Sequence, residues 1–191
     1  MKIEKGRPGY LKARKIRLIC IAAAEFAVII ALLILGYAQT GTKLNLLTVV
    51  AILGCLPACK VLVGLIAIFP YRTISPDRAE EIQKEAPLLA TAFDLVITSR
   101  EKIMPVEALV ISENTVCGYA PNKKTDPEIA ARHMKNILEE NRLTKITVKV
   151  FHDYTPFLTR AEGMNRIAEV EQTGSRSRKE KIRRILLNIS M

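Results

Sequence analysis

Residues 44–69 read LNLLTVVAILGCLPACKVLVGLIAIF, an apolar run interrupted mainly by Asn45, Thr48 and Lys60. At 1.5 Å of rise per residue it makes a helix of roughly 39 Å, longer than a hydrocarbon core of about 30 Å. Working outward toward the N-terminus, the loop YAQTGTK (37–43) follows a first run, LICIAAAEFAVIIALLILG (18–36), broken only by Glu25. That run reaches roughly 28 Å. A chain of 191 residues has room for one ordinary domain beside such a pair. A domain that small could not cover two apolar helices on every side, so burial in a soluble core is disfavoured. A cleaved signal peptide is disfavoured too, because its apolar core is typically about 7–15 residues and here a second run follows at once. The expectation is a membrane helical hairpin over 18–70, with spans of about 18–36 and 44–69.

Charge orients it. Lys2, Lys5, Arg7, Lys12, Arg14, Lys15 and Arg17 precede the first run against a single Glu4, the loop holds only Lys43, and Arg72 and Arg78 follow the second run. Flanks rich in Lys and Arg stay cytoplasmic, so both termini are expected in the cytoplasm, with Tyr37 and Tyr71 as interfacial anchors. In that topology Glu25 lies about 12 Å and Lys60 about 13–14 Å from the cytoplasmic edge. Each alone costs roughly 2.5–3.5 kcal/mol, so a Glu25–Lys60 pair, within the hairpin or between chains, is expected. The competing reading accommodates them separately, with Lys60 snorkelling and Glu25 protonated. Small residues mark two further packing faces. Gly64 and Ala67 share the Lys60 side with Leu53, while Gly54 and Ala58 lie nearly opposite with Ala51. One face would serve the hairpin and the other a second protomer. Pro57 removes a backbone donor in mid-helix. Cys55 and Cys59 lack histidine or carboxylate neighbours and read as small buried hydrophobes; Cys20 and Cys117 read as free thiols of a reducing compartment.

GCLPACK (54–60), NTVCGYAPNKKTD (114–126) and ITVKVFHDYTPFLTR (146–160) together resemble a group of two-span membrane proteins of anaerobic Gram-positive bacteria. The resemblance covers nearly the whole chain. It implies a hairpin plus a domain, and it brings no activity and no catalytic residue.

Residues 73–172 are expected to form a small cytoplasmic α+β domain. SPDRAEEIQKEAP suggests a helix opened by Ser75 and Pro76. A second helix is expected after Pro87, with Leu88, Leu89, Ala92, Phe93 and Val96 on one face. VEALVIS and TVCGYA read as strands joined through Glu113-Asn114. TDPE opens the next helix, capped by Thr125 or Asp126, with Ala130, Met134, Ile137 and Leu138 inward. KITVKVF alternates as a half-buried strand. A last domain helix after Thr155-Pro156 buries Phe157, Leu158, Ala161, Met164 and Ala168.

The helix–hairpin–helix–strand order is loosely similar to that of metal-dependent nucleases, which place an acid and an acid-x-Lys element on the hairpin. Here Leu109 stands where the lysine would follow Glu107, and Asp94 and Glu107 read as solvated or capping. His133 and His152 have no partner at metal-ligand spacing and read as surface or locally bonded. No glycine-rich phosphate loop is present. Lys123 and Lys124 precede a helix N-terminus that could attract an anion, with Asp126 competing for it. No cofactor, metal or catalytic residue is therefore expected.

Of the net charge of +10, residues 1–17 carry +6 and residues 174–191 carry +5, leaving everything between them, the domain included, at about −1. That distribution disfavours nucleic acid as a partner and favours an anionic cytoplasmic leaflet. The final segment, 174–191, is a basic amphipathic helix. Ile182, Ile185, Leu186 and Ile189 form its stripe, and Arg176, Lys179, Arg183 and Arg184 its basic remainder. Two covers would satisfy the stripe: the acyl chains of the membrane surface or the α+β core. The expected function is protein interaction or membrane-state sensing, with an unknown protein partner and possible self-association. The alternative is a tethered nuclease-like domain with altered or lost catalysis.

Overall fold

The structure, a computed structural model, describes residues 3–42, 45–99, 102–171 and 176–190. The chain divides into two compact units: Leu11–Tyr71, and Met1–Tyr10 together with Arg72–Met191.

The first unit is a helical hairpin. Helix α1 (Tyr10–Thr40, 31 residues) and helix α2 (Leu46–Ile68, 23 residues) are long and apolar enough to cross a membrane. Their most apolar windows are only 11% buried, so nearly all of this hydrocarbon faces outward. Lys12, Arg14, Lys15 and Arg17 fall in the first turns of α1 and not in a separate basic tail. At the turn, Asn45 caps α2 by accepting from Thr48 N–H at 2.8 Å and donates to Thr40 Oγ1 and Thr42 C=O. A Cβ on Gly36 would lie 2.7 Å from the Asn45 carboxamide oxygen, so a larger residue there would displace the capping side chain. At the open end, Lys15 Nζ donates to the carbonyls of Phe69 and Tyr71 at 2.8 and 2.5 Å, a cation at the C-terminus of α2. Helix α2 runs unbroken through Pro57.

The second unit holds α3 (Pro76–Glu85), β1 (Ala90–Thr98), β2 (Ile103–Ile111), β3 (Thr115–Tyr119), α4 (Pro127–Glu140), β4 (Thr147–Phe151), α5 (Tyr154–Glu171) and α6 (Arg176–Asn188). The four strands make one mixed sheet in the order β1-β2-β3-β4. The first three form an antiparallel meander, and β4 runs parallel to β3. Helices α4 and α6 cover one face, with Met134, Leu138, Ile182 and Leu186 in the core; α3 and α5 cover the other, with Ile82, Phe157 and Met164.

Most of the expected elements are present. The Glu113-Asn114 hairpin closes with Ser112 N–H on Thr115 C=O at 2.8 Å. Asp126 is the α4 cap, accepting from Glu128 and Ile129 N–H. In β4, Val150 is buried and Thr147 and Lys149 exposed, with Ile146 buried just before the strand, as the alternation requires. The helix expected after Pro87 is instead strand β1. Ala92 to Ile97 are buried without a break because helices lie on both faces of the sheet. A short run buried on both sides carries no period to separate strand from helix.

Candidate functional site

The hairpin brings together part of the expected intramembrane set. Its internal contact is made by Ala51, Gly54, Cys55 and Ala58 of α2 against Ile29 and Leu32 of α1. These small residues let the helices approach, and Lys60, on the opposite face, is exposed. No ion pair joins Glu25 to Lys60 among the described residues. Instead Glu25 Oε2 is buried without a hydrogen-bond partner. Within one hairpin the pair is not formed: the small-residue face packs on α1 and Lys60 lies on the opposite side of α2, which leaves pairing between chains as the form still open to it. Gly64 and Ala67 lie off that contact, and a Cβ on Gly64 would meet open space.

The apolar stripe expected on α6 packs against the α+β core. Ile182 and Leu186 are fully buried in the α+β core, and Ile185 and Ile189 are packed against it. Lys179 Nζ donates to Leu88 C=O at 3.1 Å, and Arg183 donates to Thr91 C=O at 2.9 Å and to Glu180 at 2.7 Å. Arg184 is exposed, and the side chain of Arg176 lies outside the described residues. Of the two covers open to the stripe, the core is the one observed. The β1–β2 part of the sheet face, beside α4, accepts it, and the carbonyls of Leu88 and Thr91 take up the adjoining cations.

Residues 3–9 join the same unit and close the β1 edge of the sheet. Phe93 N–H donates to Gly6 C=O at 2.9 Å, Lys5 Nζ donates to Ser190 C=O, and Ser190 bridges Ile97. With Arg183 on the Thr91 carbonyl, this outer edge is engaged at three positions. Gly6 has φ +88, and a Cβ there would lie 2.8 Å from Leu187 Cδ2.

On the α3/α5 face, the register places Asp94 opposite Glu107, between the pairs Phe93–Ala108 and Leu95–Val106. Asp94 has φ 56, a conformation uncommon for a non-glycine residue inside a strand. It is 2% exposed and accepts from Thr73 Oγ1 and from Ile74 N–H at 3.0 Å. Its role is therefore capping, on the segment that precedes α3, and it is not solvated. Glu107 is half-buried. Burial pushes its carboxyl above the ordinary 4.5, outweighing Arg78, and the neighbouring Asp94 adds to the rise. Arg78 donates to Tyr119 Oη at 3.1 Å and stands 4.8 Å from the Tyr154 ring centre, while Tyr154 Oη donates to Glu81 at 2.6 Å. Burial and the Glu81 acceptor push the Tyr154 phenol far up, so it stays a donor. These contacts bind α3 to β3 and α5. Among the described residues no group of three His, Cys, Asp or Glu side chains converges as a metal site.

The β4 edge differs. Strand β4 ends the sheet, with no strand beyond it among the described residues. Beside it runs a cleft of about 730 Å³ between β4 and the start of α4, lined by Lys123, Lys124, Asp126, Glu128, Lys149 and His152, among others. The first-turn N–H groups of α4 are already taken by Asp126, so the anion place expected there is filled by the chain itself. Thr125 is buried with an unpartnered hydroxyl, and half-buried His133 has its Nε2 withdrawn from water without a hydrogen-bond partner. His152 is bonded locally, its Nδ1 2.7 Å from Ala120 C=O. The free edge was missed in the sequence, where alternation reveals a strand but not its neighbours. Burial also raises the Cys117 thiol, keeping it protonated against Met164.

Set against protein-family models, curated proteins and solved structures, the chain matches none.

Proposed function

We propose that the chain is a two-pass protein of the cytoplasmic membrane, with both termini cytoplasmic, whose α+β unit docks another protein. The two apolar helices support the anchor. The Gly6–Phe93 hydrogen bond supports a common side for both ends, since residues before α1 and after α2 fold together and an even number of crossings is required. The excess of Lys and Arg before α1 over the single Lys43 in the loop favours the cytoplasm for that side.

One observation carries the docking reading: the sheet is closed at β1 by the chain's own segments and open at β4, beside a basic cleft. Unpaired edges are normally covered, so an edge left open is available to a partner. The nuclease-like alternative gains from Asp94 and Glu107 facing each other on the hairpin. It loses because Asp94 is committed to Thr73 and Ile74, and buried Leu109 occupies the position of the lysine.

A photoreactive residue at Lys149 tests docking in intact membranes, with the exposed Val170 position on α5 as control. A discrete protein adduct from position 149 and none from position 170 is expected; equal or absent adducts overturn the reading. Thr42→Cys and Ser177→Cys, in a background without native cysteines, test orientation. An impermeant thiol reagent should label the first in intact cells and the second only after lysis. Nucleic-acid binding that collapses with salt would favour the nuclease-like alternative.

A further inference from the structure

We propose that β4 accepts an extended segment of another protein, alternating acidic and apolar residues, as a fifth strand. This rests on the docking reading and adds the chemistry of the partner. Thr147 N–H bonds Asn114 C=O at 2.8 Å and Ala120 N–H bonds Phe151 C=O at 2.9 Å, so residues 147, 149 and 151 turn their main-chain groups toward β3. Successive strand residues face opposite ways, so the N–H and C=O of Val148 and Val150 turn outward. Among the described residues these two make no hydrogen bond beyond the sheet. Such groups are a template for an added strand, main-chain bonds giving affinity and alternate side chains specificity.

The cleft beside them decides which strand fits. Lys123, Lys124 and Lys149 line it with His152. Of its two acids, Asp126 is occupied with the N–H groups of Glu128 and Ile129, and Glu128 lies in the first turn of α4. A second copy of β4 is a poor occupant. Antiparallel pairing through the outward groups of Val148 and Val150 would set Lys149 opposite Lys149 in a closely spaced pair, and like charges directly opposed are destabilising. An acidic residue across from Lys149 turns the same position into an attraction. Apolar residues across from Val148 and Val150 would extend the face that these side chains share with α4.

The test uses the full chain in detergent micelles and two labelled ten-residue probes, valine alternating with glutamate or valine alternating with lysine. The glutamate probe should bind about tenfold tighter at low salt, because attraction replaces repulsion across from Lys149 and beside Lys123 and Lys124. It should also slow amide exchange at Val148 and Val150. Lys149→Glu, an exposed change, should narrow or reverse the preference. Val148→Pro removes an outward N–H while sparing the ladder to β3, and should abolish binding of the glutamate probe. Equal affinity for both probes, protection at other amides, or undiminished binding to Val148→Pro would overturn the proposal. Protection of Val148 and Val150 that rises with protein concentration alone would also overturn it, in favour of a second copy. A discrete adduct from position 149 in membranes with no response to the glutamate probe leaves docking standing and removes the acidic strand.

Discussion

Asp94 in the α+β unit and Glu25 in the hairpin both have carboxylate oxygens withdrawn from water, yet Asp94 accepts from Thr73 and Ile74 while Glu25 Oε2 accepts from nothing. The difference comes from what each surrounding backbone has to offer. The segment before α3 is not helical, and its N–H groups are free to turn toward a side chain. In α1 and α2 the backbone donors are consumed by the helices themselves, so only another side chain could serve Glu25, and Lys60 faces the other way. Asp94 is satisfied within its own unit, by a neighbouring backbone N–H and a hydroxyl; Glu25 leaves that demand to whatever surrounds the hairpin.

The sharpest way to break this contrast is Asp94→Ala. It removes two charge-assisted hydrogen bonds and leaves Ile74 N–H buried, which should cost about 3–4 kcal/mol in urea unfolding of the chain in micelles. Glu25→Leu, in the same assay, should cost nothing or stabilise, because an unsatisfied buried group disappears. Equal losses from the two would erase the distinction.

Next in size is Leu186→Ala. A fully buried leucine in a packed core should cost about 3 kcal/mol whatever lipid is present. A loss that appears only with anionic vesicles would return the α6 stripe to the membrane surface.

Glu107→Gln sharpens the contrast through pH. The folded-state pKa of Glu107 is raised above its ordinary 4.5, chiefly by burial, with Arg78 and Arg72 opposing and Asp94 adding. Its contribution to stability is therefore whole below the unfolded value and is lost as pH rises through the folded one. The glutamine variant should melt at the wild-type temperature near pH 4 and above it at pH 8. An unchanged difference across that range would remove Glu107 from the proton linkage.

The smallest expected effect is the coupling between Glu25 and Lys60. Without contact in one hairpin, the effects of Glu25→Leu and Lys60→Leu on melting should add within about 0.5 kcal/mol. A larger coupling would place Lys60 of a second copy against Glu25.

The two apolar runs, the Asp126 cap, the Glu113-Asn114 hairpin and the β4 alternation were legible because each is a local pattern, set by hydrogen bonding and burial within a few residues. Strand β1 was not legible, since Ala92 to Ile97 are buried on both sides and such a run has no period. Nor could periodicity say which α2 face meets α1, because small residues lie on both. In the α6 stripe it marked the apolar residues but not what covers them. Those choices, like the closed β1 edge and the open β4 edge, depend on segments far apart in the chain: Gly6 beside Phe93, Lys179 beside Leu88, Asp94 beside Ile74. By itself the sequence determined which residues seek a nonpolar cover and where local structure begins and ends. Only the tertiary structure decided what supplies that cover, because apolar burial has no direction and is settled by the competition among all available surfaces.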